Sequence, residues 1–239
     1  MDVKRLGVTL SIAGLCLGIQ FACVTVPRDP EGTLNRVLRT HTIRIGVVED
    51  PPWIVRTTGE PAGIAVNIAR EFAQSVSATP QWFWGGQGEM MKALKTFNLD
   101  MVIADVDAKT PWSKDIGVSQ PYVMERFVIG VPSGRQIPAN LKGITVGYLD
   151  DDLAGAYLAK KGAIAEAVHN VANTAGPLAA PSWRLKQLGY TITPIHLFQE
   201  QRVIAVPPGE NGWLNRLDKF LAQHKSEIMN TLEHGEAAP

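Results

Sequence analysis

Between Thr42 and Ala104 short apolar runs alternate with amphipathic stretches, and this constrains the fold more than any other feature of the chain. Thr42-Ile43-Arg44-Ile45-Gly46-Val47-Val48 alternates apolar and polar residues and then stays apolar, as a strand entering a buried sheet does. Glu49-Asp50-Pro51-Pro52-Trp53 breaks it abruptly. From Gly63 to Ser77, Ile64, Ile68, Phe72 and Val76 recur at four-residue spacing with Arg70 and Glu71 opposite, which predicts an amphipathic helix. Gln81 to Trp84 reads as a short aromatic strand closed by Gly85-Gly86, and Glu89 to Phe97 as a helix with Met90, Leu94 and Phe97 inward. Asp100 to Ala104 reads as a buried parallel strand. A β-α-β-α-β order implies a parallel sheet with right-handed crossovers.

A second α/β segment follows. Phe127 to Val131 and Ile144 to Tyr148 read as strands, and Asp150 to Lys161 as a helix opening on three aspartates. The alanine-rich stretch from Ala163 to Ala180 is ambiguous. Trp183 to Leu188 reads as a helix stopped by Gly189, Thr191 to Ile195 and Arg202 to Val206 as strands, and Trp213 to about Ile228 as a helix with Leu214, Leu217, Leu221 and Ile228 on one face. No internal repeat is visible.

The N-terminus obeys other rules. Met1 to Arg5 is short and basic, Leu6 to Phe21 is apolar, and Ala22-Cys23 places a small residue before a cysteine. This suits a signal peptide over 1–22 followed by a tether over 23–35; an uncleaved anchor helix is the competing reading. Cys23 stands where a bacterial lipoprotein carries its lipid. Gln20-Phe21-Ala22 matches the usual lipobox only in part, so cleavage without lipidation stays open. The other cysteine, Cys16, falls in the apolar run, so the exported protein is expected to lack disulfides.

The 239 residues suffice for two small lobes with real cores, and 23 basic against 23 acidic residues imply no nucleic-acid partner. His41, His169, His196, His224 and His234 are isolated, and no Cys-x-x-Cys, Gly-x-Ser-x-Gly or phosphate-binding glycine loop exists. No metal and no cofactor are expected.

Several pieces, taken in order, resemble the family 3 extracellular solute-binding proteins of polar-amino-acid ABC importers. They are Ile45-Gly46-Val47 before Pro51-Pro52-Trp53, the Gly59-to-Ala69 stretch, Leu99 to Ala104, Thr110-Pro111, Val118 to Tyr122, Leu141 to Gly147, and Arg202 to Gly209. The resemblance fails between about residues 163 and 200. It implies two Rossmann-like α/β lobes joined by two crossover strands, the type II periplasmic-binding-protein arrangement. Lobe 1 would take 36–124 plus 205–239 and lobe 2 would take 125–204, with hinges near Pro121 to Glu125 and near Arg202 to Ala205. Ligand would sit in the cleft between them.

Against that family the site departs. The arginine that usually follows a Thr-Pro-Glu motif and holds a ligand carboxylate is missing: here Thr110-Pro111 leads to Trp112, Ser113 and Lys114, with Lys114 expected at the surface. The helix start that would greet an anion carries Asp150, Asp151 and Asp152; capping accounts for one or two of them, and a third marks either a solvated turn or an electronegative pocket wall. Glu49 and Asp50 follow the first strand and Asp105 and Asp107 the third, at strand ends where ligands bind, with ordinary loop solvation as the competing reading. The family's amine-binding aspartate finds only Ala179-Ala180-Pro181. Trp53 and Trp112 offer aromatic walls, or packing.

The expected ligand site is therefore Glu49, Asp50, Trp53, Asp105, Asp107, Trp112 and Asp150 to Asp152, acidic and aromatic without an arginine. It suits a cationic or amine-bearing solute. The expected protein is an exported, non-catalytic, monomeric solute-binding protein, periplasmic or at the cell surface. It would serve an ABC permease or a membrane sensor and be tied to the membrane by an N-terminal lipid or signal anchor. The competing readings are a binding-defunct or partner-binding module, and a cyclohexadienyl-dehydratase-like enzyme that would lack its carboxylate anchor.

Overall fold

The computed structural model describes residues 28–149, 153–170 and 174–234. The expected lipid site Cys23 and the acids Asp150, Asp151 and Asp152 lie outside them. Among the described residues no helix is long and apolar enough to cross a membrane.

Two five-stranded sheets form among the described residues. In the first, α1 (Thr33–Thr40) leads into β1 (Thr42–Val47), α2 (Ile64–Ser75), β2 (Thr79–Trp84), α3 (Gln87–Lys95) and β3 (Met101–Ile103). β1 runs parallel to both β2 and β3, as the alternation predicts. α2 buries Ala65, Val66, Ile68, Ala69, Phe72 and Ala73, a stripe wide enough to close the sheet's face. α3 ends before Phe97, whose φ of 59° marks the turn into β3; Phe97 is only half-buried there, not the inward helix residue expected. A short 3-10 turn (Pro111–Lys114) and β4 (Gly117–Val118) complete this part of the chain.

β5 (Val123–Pro132) then crosses to the second sheet, with β6 (Thr145–Leu149), α4 (Ala154–Lys160), β7 (Ile164–Val168), β8 (Leu178–Pro181) and α5 (Ser182–Gln187). β9 (Tyr190–Arg202) returns antiparallel to β5, from Pro132↔Tyr190 to Val123↔Arg202, and β10 (Ala205–Val206) joins the first sheet between β3 and β4. The strand orders are β2-β1-β3-β10-β4 and β7-β6-β8-β5-β9. The strand expected to start at Arg202 therefore divides: Arg202 closes the long β9, and only Ala205 and Val206 pair in the first sheet.

α6 (Asn211–His234) packs back over α2 with Trp213, Leu217, Phe220 and Leu221 buried. Its last turns reach α5, where the Gln187 side-chain amide donates to the Leu232 carbonyl at 3.2 Å. One core cluster runs from Val37 and Phe72 through Trp53 to Trp183, Ile228 and Leu232, so apolar packing is continuous between the two sheets at the rear of the cleft.

Candidate functional site

A cavity of about 390 Å³ opens between the sheets, at the base of the crossing strands β5 and β9. Its floor is Trp53, which only 2% of its surface leaves exposed. The backbone around Gly63 places it: that residue has φ 114°, and a Cβ there would lie 2.4 Å from the Trp53 carbonyl oxygen. The same carbonyl accepts the Ala65 N–H at 3.0 Å, pinning the loop to the start of α2. Trp183 meets Trp53 edge-on at 6.0 Å from the far wall, and Tyr122 does so at 6.2 Å.

Arg202 dominates the chemistry. Its guanidinium carbon lies 4.4 Å from the centre of the Trp53 ring. Nη1 donates to Asp50 Oδ2 at 2.6 Å and lies 3.5 Å from Asp105 Oδ1, while Nε donates to Glu125 Oε2. Glu125 uses its other oxygen to accept the Trp183 indole N–H at 2.8 Å. A chain of polar contacts thus runs from the first sheet (Asp50, Asp105) through both crossing strands (Arg202, Glu125) to the second (Trp183).

Burial and charge oppose each other in this cluster. Burial alone would lower the Arg202 pKa, but Glu125, Tyr122, Asp50 and Asp105 outweigh it and hold the guanidinium charged beyond its already high range. Burial raises the Asp50 carboxyl above its ordinary value of 3.8; the Arg202 charge and hydrogen bond pull it down, and Asp105 and Glu125 push it up again. Tyr122 is driven far upward by burial, so its phenol stays neutral.

The structure brings Asp50, Trp53 and Asp105 into the cavity wall. It places the other described members of the expected site elsewhere. Glu49 is half-exposed and faces Arg56 at 3.7 Å. Trp112 is half-buried against the cluster of Met90, Leu94, Val106 and Ile116, so it covers the first sheet's other face. Asp107 binds the chain to itself: Oδ1 accepts the Lys109 N–H at 2.8 Å and Oδ2 accepts the Gln201 N–H at 2.7 Å. Lys114 is exposed.

Asp107→Ala should therefore lower stability by about 1–3 kcal/mol, for two charge-assisted hydrogen bonds lost, and leave solute affinity unchanged. A loss of affinity without a loss of Tm would return Asp107 to the binding surface.

Glu125, Trp183, Arg184, Glu200 and Arg202 line the cavity and were absent from the expected set. The expectation of a cleft without arginine is thus corrected: two arginines line it, from β9 and from α5, neither in the loop where the family places one. Glu125 did leave a signal. Along Val123-Met124-Glu125-Arg126-Phe127 burial alternates, and Glu125 occupies an inward register at 2% exposure. An acid in the buried phase of a strand demands a partner.

Among the described residues no group of His, Cys, Asp and Glu could hold a metal ion. The sequence model of the bacterial extracellular solute-binding proteins, family 3, matches residues 43–233. The chain belongs to this family. Its two sheets joined by β5 and β9 are the type II periplasmic-binding-protein fold, and its relatives are binding proteins for small molecules. An ancestral cationic amino acid solute binding protein (AncCDT-1) superposes with a TM-score of 0.70 at 18% identity, over 86% of this chain and 100% of that one. A second structure of that protein, described as an ancestral amino acid-binding precursor of cyclohexadienyl dehydratase, gives 0.59. The L-cystine solute receptor of Neisseria gonorrhoeae, unliganded and open, gives 0.68 at 17% identity, over 85% of this chain and 98% of that one. The periplasmic domain of BvgS from B. pertussis gives 0.69 at 17% identity, covering 87% of this chain and 47% of that one. At such identities the likeness shows the fold alone. No curated protein matches by sequence.

Proposed function

We propose that this family member captures a small cationic or amine-bearing solute in the cleft and passes it to an ABC-type permease or reports it to a membrane sensor. The observation that carries this is the charge of the wall: Asp50, Asp105, Glu125 and Glu200 stand against Arg184 and Arg202 around the Trp53 floor. A partly desolvated wall with surplus carboxylate selects cations. The cationic ligand named for the AncCDT-1 protein fits the same class. A solute that also bears a carboxylate would turn it toward Arg184, which lies over the Trp183 ring at 5.9 Å, because Arg202 is already paired.

In this reading 36–124 plus 205–239 and 125–204 act as two lobes that close about β5 and β9, with solute stabilising the closed state. Export places the protein in the periplasm or at the cell surface, held by a lipid on Cys23 or freed by cleavage. It works there as a non-catalytic monomer.

A thermal-shift screen of the exported form tests this, with polyamines, cationic amino acids and quaternary amines beside neutral amino acids. A solute at about 100 times its Kd should add about 2.7 kcal/mol of stability. If no small molecule shifts Tm while a membrane protein copurifies, the fold serves as a partner-binding module instead.

The raised Asp50 carboxyl adds a pH signature. Asp50 belongs to the carboxylate cluster whose net charge favours a cation, so affinity should hold near neutral pH and fall on acidification as Asp50 protonates, starting above the ordinary aspartate value of 3.8. Calorimetric titration across that range checks the sign; a flat profile would take Asp50 out of the site.

A further inference from the structure

Arg202 is the last residue of β9, and its side chain enters the wall of the cavity rather than solvent, with 9% of the side chain exposed. It rests on the face of Trp53 and reaches Asp50 on one side and Glu125 on the other. A guanidinium over an indole, held by carboxylates through directed N–H bonds, is how a protein recognises a cationic solute. Here the chain supplies the cation itself.

Titration does not remove this occupant, because its carboxylate neighbours keep it charged against the effect of burial. The three carboxylates around one guanidinium still leave negative charge over. That surplus is most accessible at Asp105, whose side chain is 67% exposed and whose Oδ1 lies 3.5 Å from Arg202 Nη1. Asp50 and Glu125, at 21% and 2%, lie deeper.

We propose that Arg202 sets which solute the cleft accepts: its guanidinium fills the inner cation position over Trp53, so that a solute's cation is taken at the outer carboxylate of Asp105. The assignment rests on the cleft being the solute site. It explains how a cleft lined by acids and tryptophans can reject a guanidinium or ammonium group from its deepest point.

The variant Arg202→Ala empties the inner position and leaves Trp53, Asp50 and Glu125 in place. Methylguanidinium, a bare copy of the missing head group, should bind Arg202→Ala about tenfold more tightly than wild type, or better, by isothermal calorimetry. It should also restore part of the Tm lost on substitution. Tetramethylammonium, a cation without N–H donors, should restore less. A folded Arg202→Ala that binds methylguanidinium no better than wild type overturns the assignment.

Where Arg202→Ala does not fold, Arg202→Gln keeps most of the side-chain length and removes the charge, and the same gain is expected there. If neither variant folds, even on refolding with methylguanidinium, Arg202 is a structural residue and the specificity role falls. The wild-type solute screen remains separate. A solute that binds wild type, with no gain in either folded variant, defeats this assignment alone. Methylguanidinium bound by Arg202→Ala, with no solute for wild type, defeats the transport reading instead.

Discussion

Glu125→Ala should cost about 3–5 kcal/mol of unfolding free energy, a fall of roughly 6–20 °C in Tm for a chain of this size. The reason is asymmetry rather than the strength of any one bond. Glu125 is 2% exposed and receives both the Arg202 Nε–H and the Trp183 indole N–H. Removing it leaves a buried guanidinium short of charge and a buried indole N–H without its acceptor, and both penalties fall in full on the folded state. Asp105→Asn is the contrasting variant. Its carboxylate meets the same guanidinium at 3.5 Å but is 67% exposed, so water screens the pair and the expected loss is below about 1 kcal/mol. Urea denaturation of both variants separates the cases. Equal losses would mean that burial does not govern this cluster. A negligible loss for Glu125→Ala would mean that Asp50 alone holds Arg202.

The same cluster shows where sequence reasoning stops. The first sheet was readable because its period is intact: the stripe Ile64, Ile68, Phe72, Val76 in α2 and the apolar β3 run admit one arrangement. The stretch over 163–200 was not. β7 buries none of its five residues, so Ile164 to Val168 shows no inward–outward alternation to detect. β9 pairs with β5 through two register irregularities, which break its period-2 pattern. Of the expected site, Asp50, Trp53 and Asp105 stand in the cavity wall because they follow strand ends of the readable sheet. Arg202 is legible as a strand and hinge residue but not as part of the cavity wall. Its burial depends on acids at positions 50, 105 and 125 that meet only in three dimensions. Asp107 follows the same strand end as Asp105, yet its hydrogen bonds to the Lys109 and Gln201 N–H groups occupy its carboxylate outside the cavity wall.

Trp53→Ala should be as damaging as Glu125→Ala, at about 3–5 kcal/mol, since a fully packed indole is replaced by a void. Size alone does not settle what Trp53 does, because packing and cation recognition both need the ring. The two separate in a double-mutant cycle. Trp53→Leu keeps apolar bulk but removes the π face, and Arg202→Gln keeps length but removes the charge. If Arg202 lies on the indole as a cation on a recognition surface, the two changes should be less than additive by about 1–2 kcal/mol, the range of a desolvated cation–π pair. The 4.4 Å approach and the 2% exposure of Trp53 favour the upper part of that range. Strict additivity would mean that Trp53 packs against Trp183 and Tyr122 and that Arg202 merely passes over it. The coupling energy therefore measures how much attraction the indole face can offer to a solute's cation once Arg202 is gone.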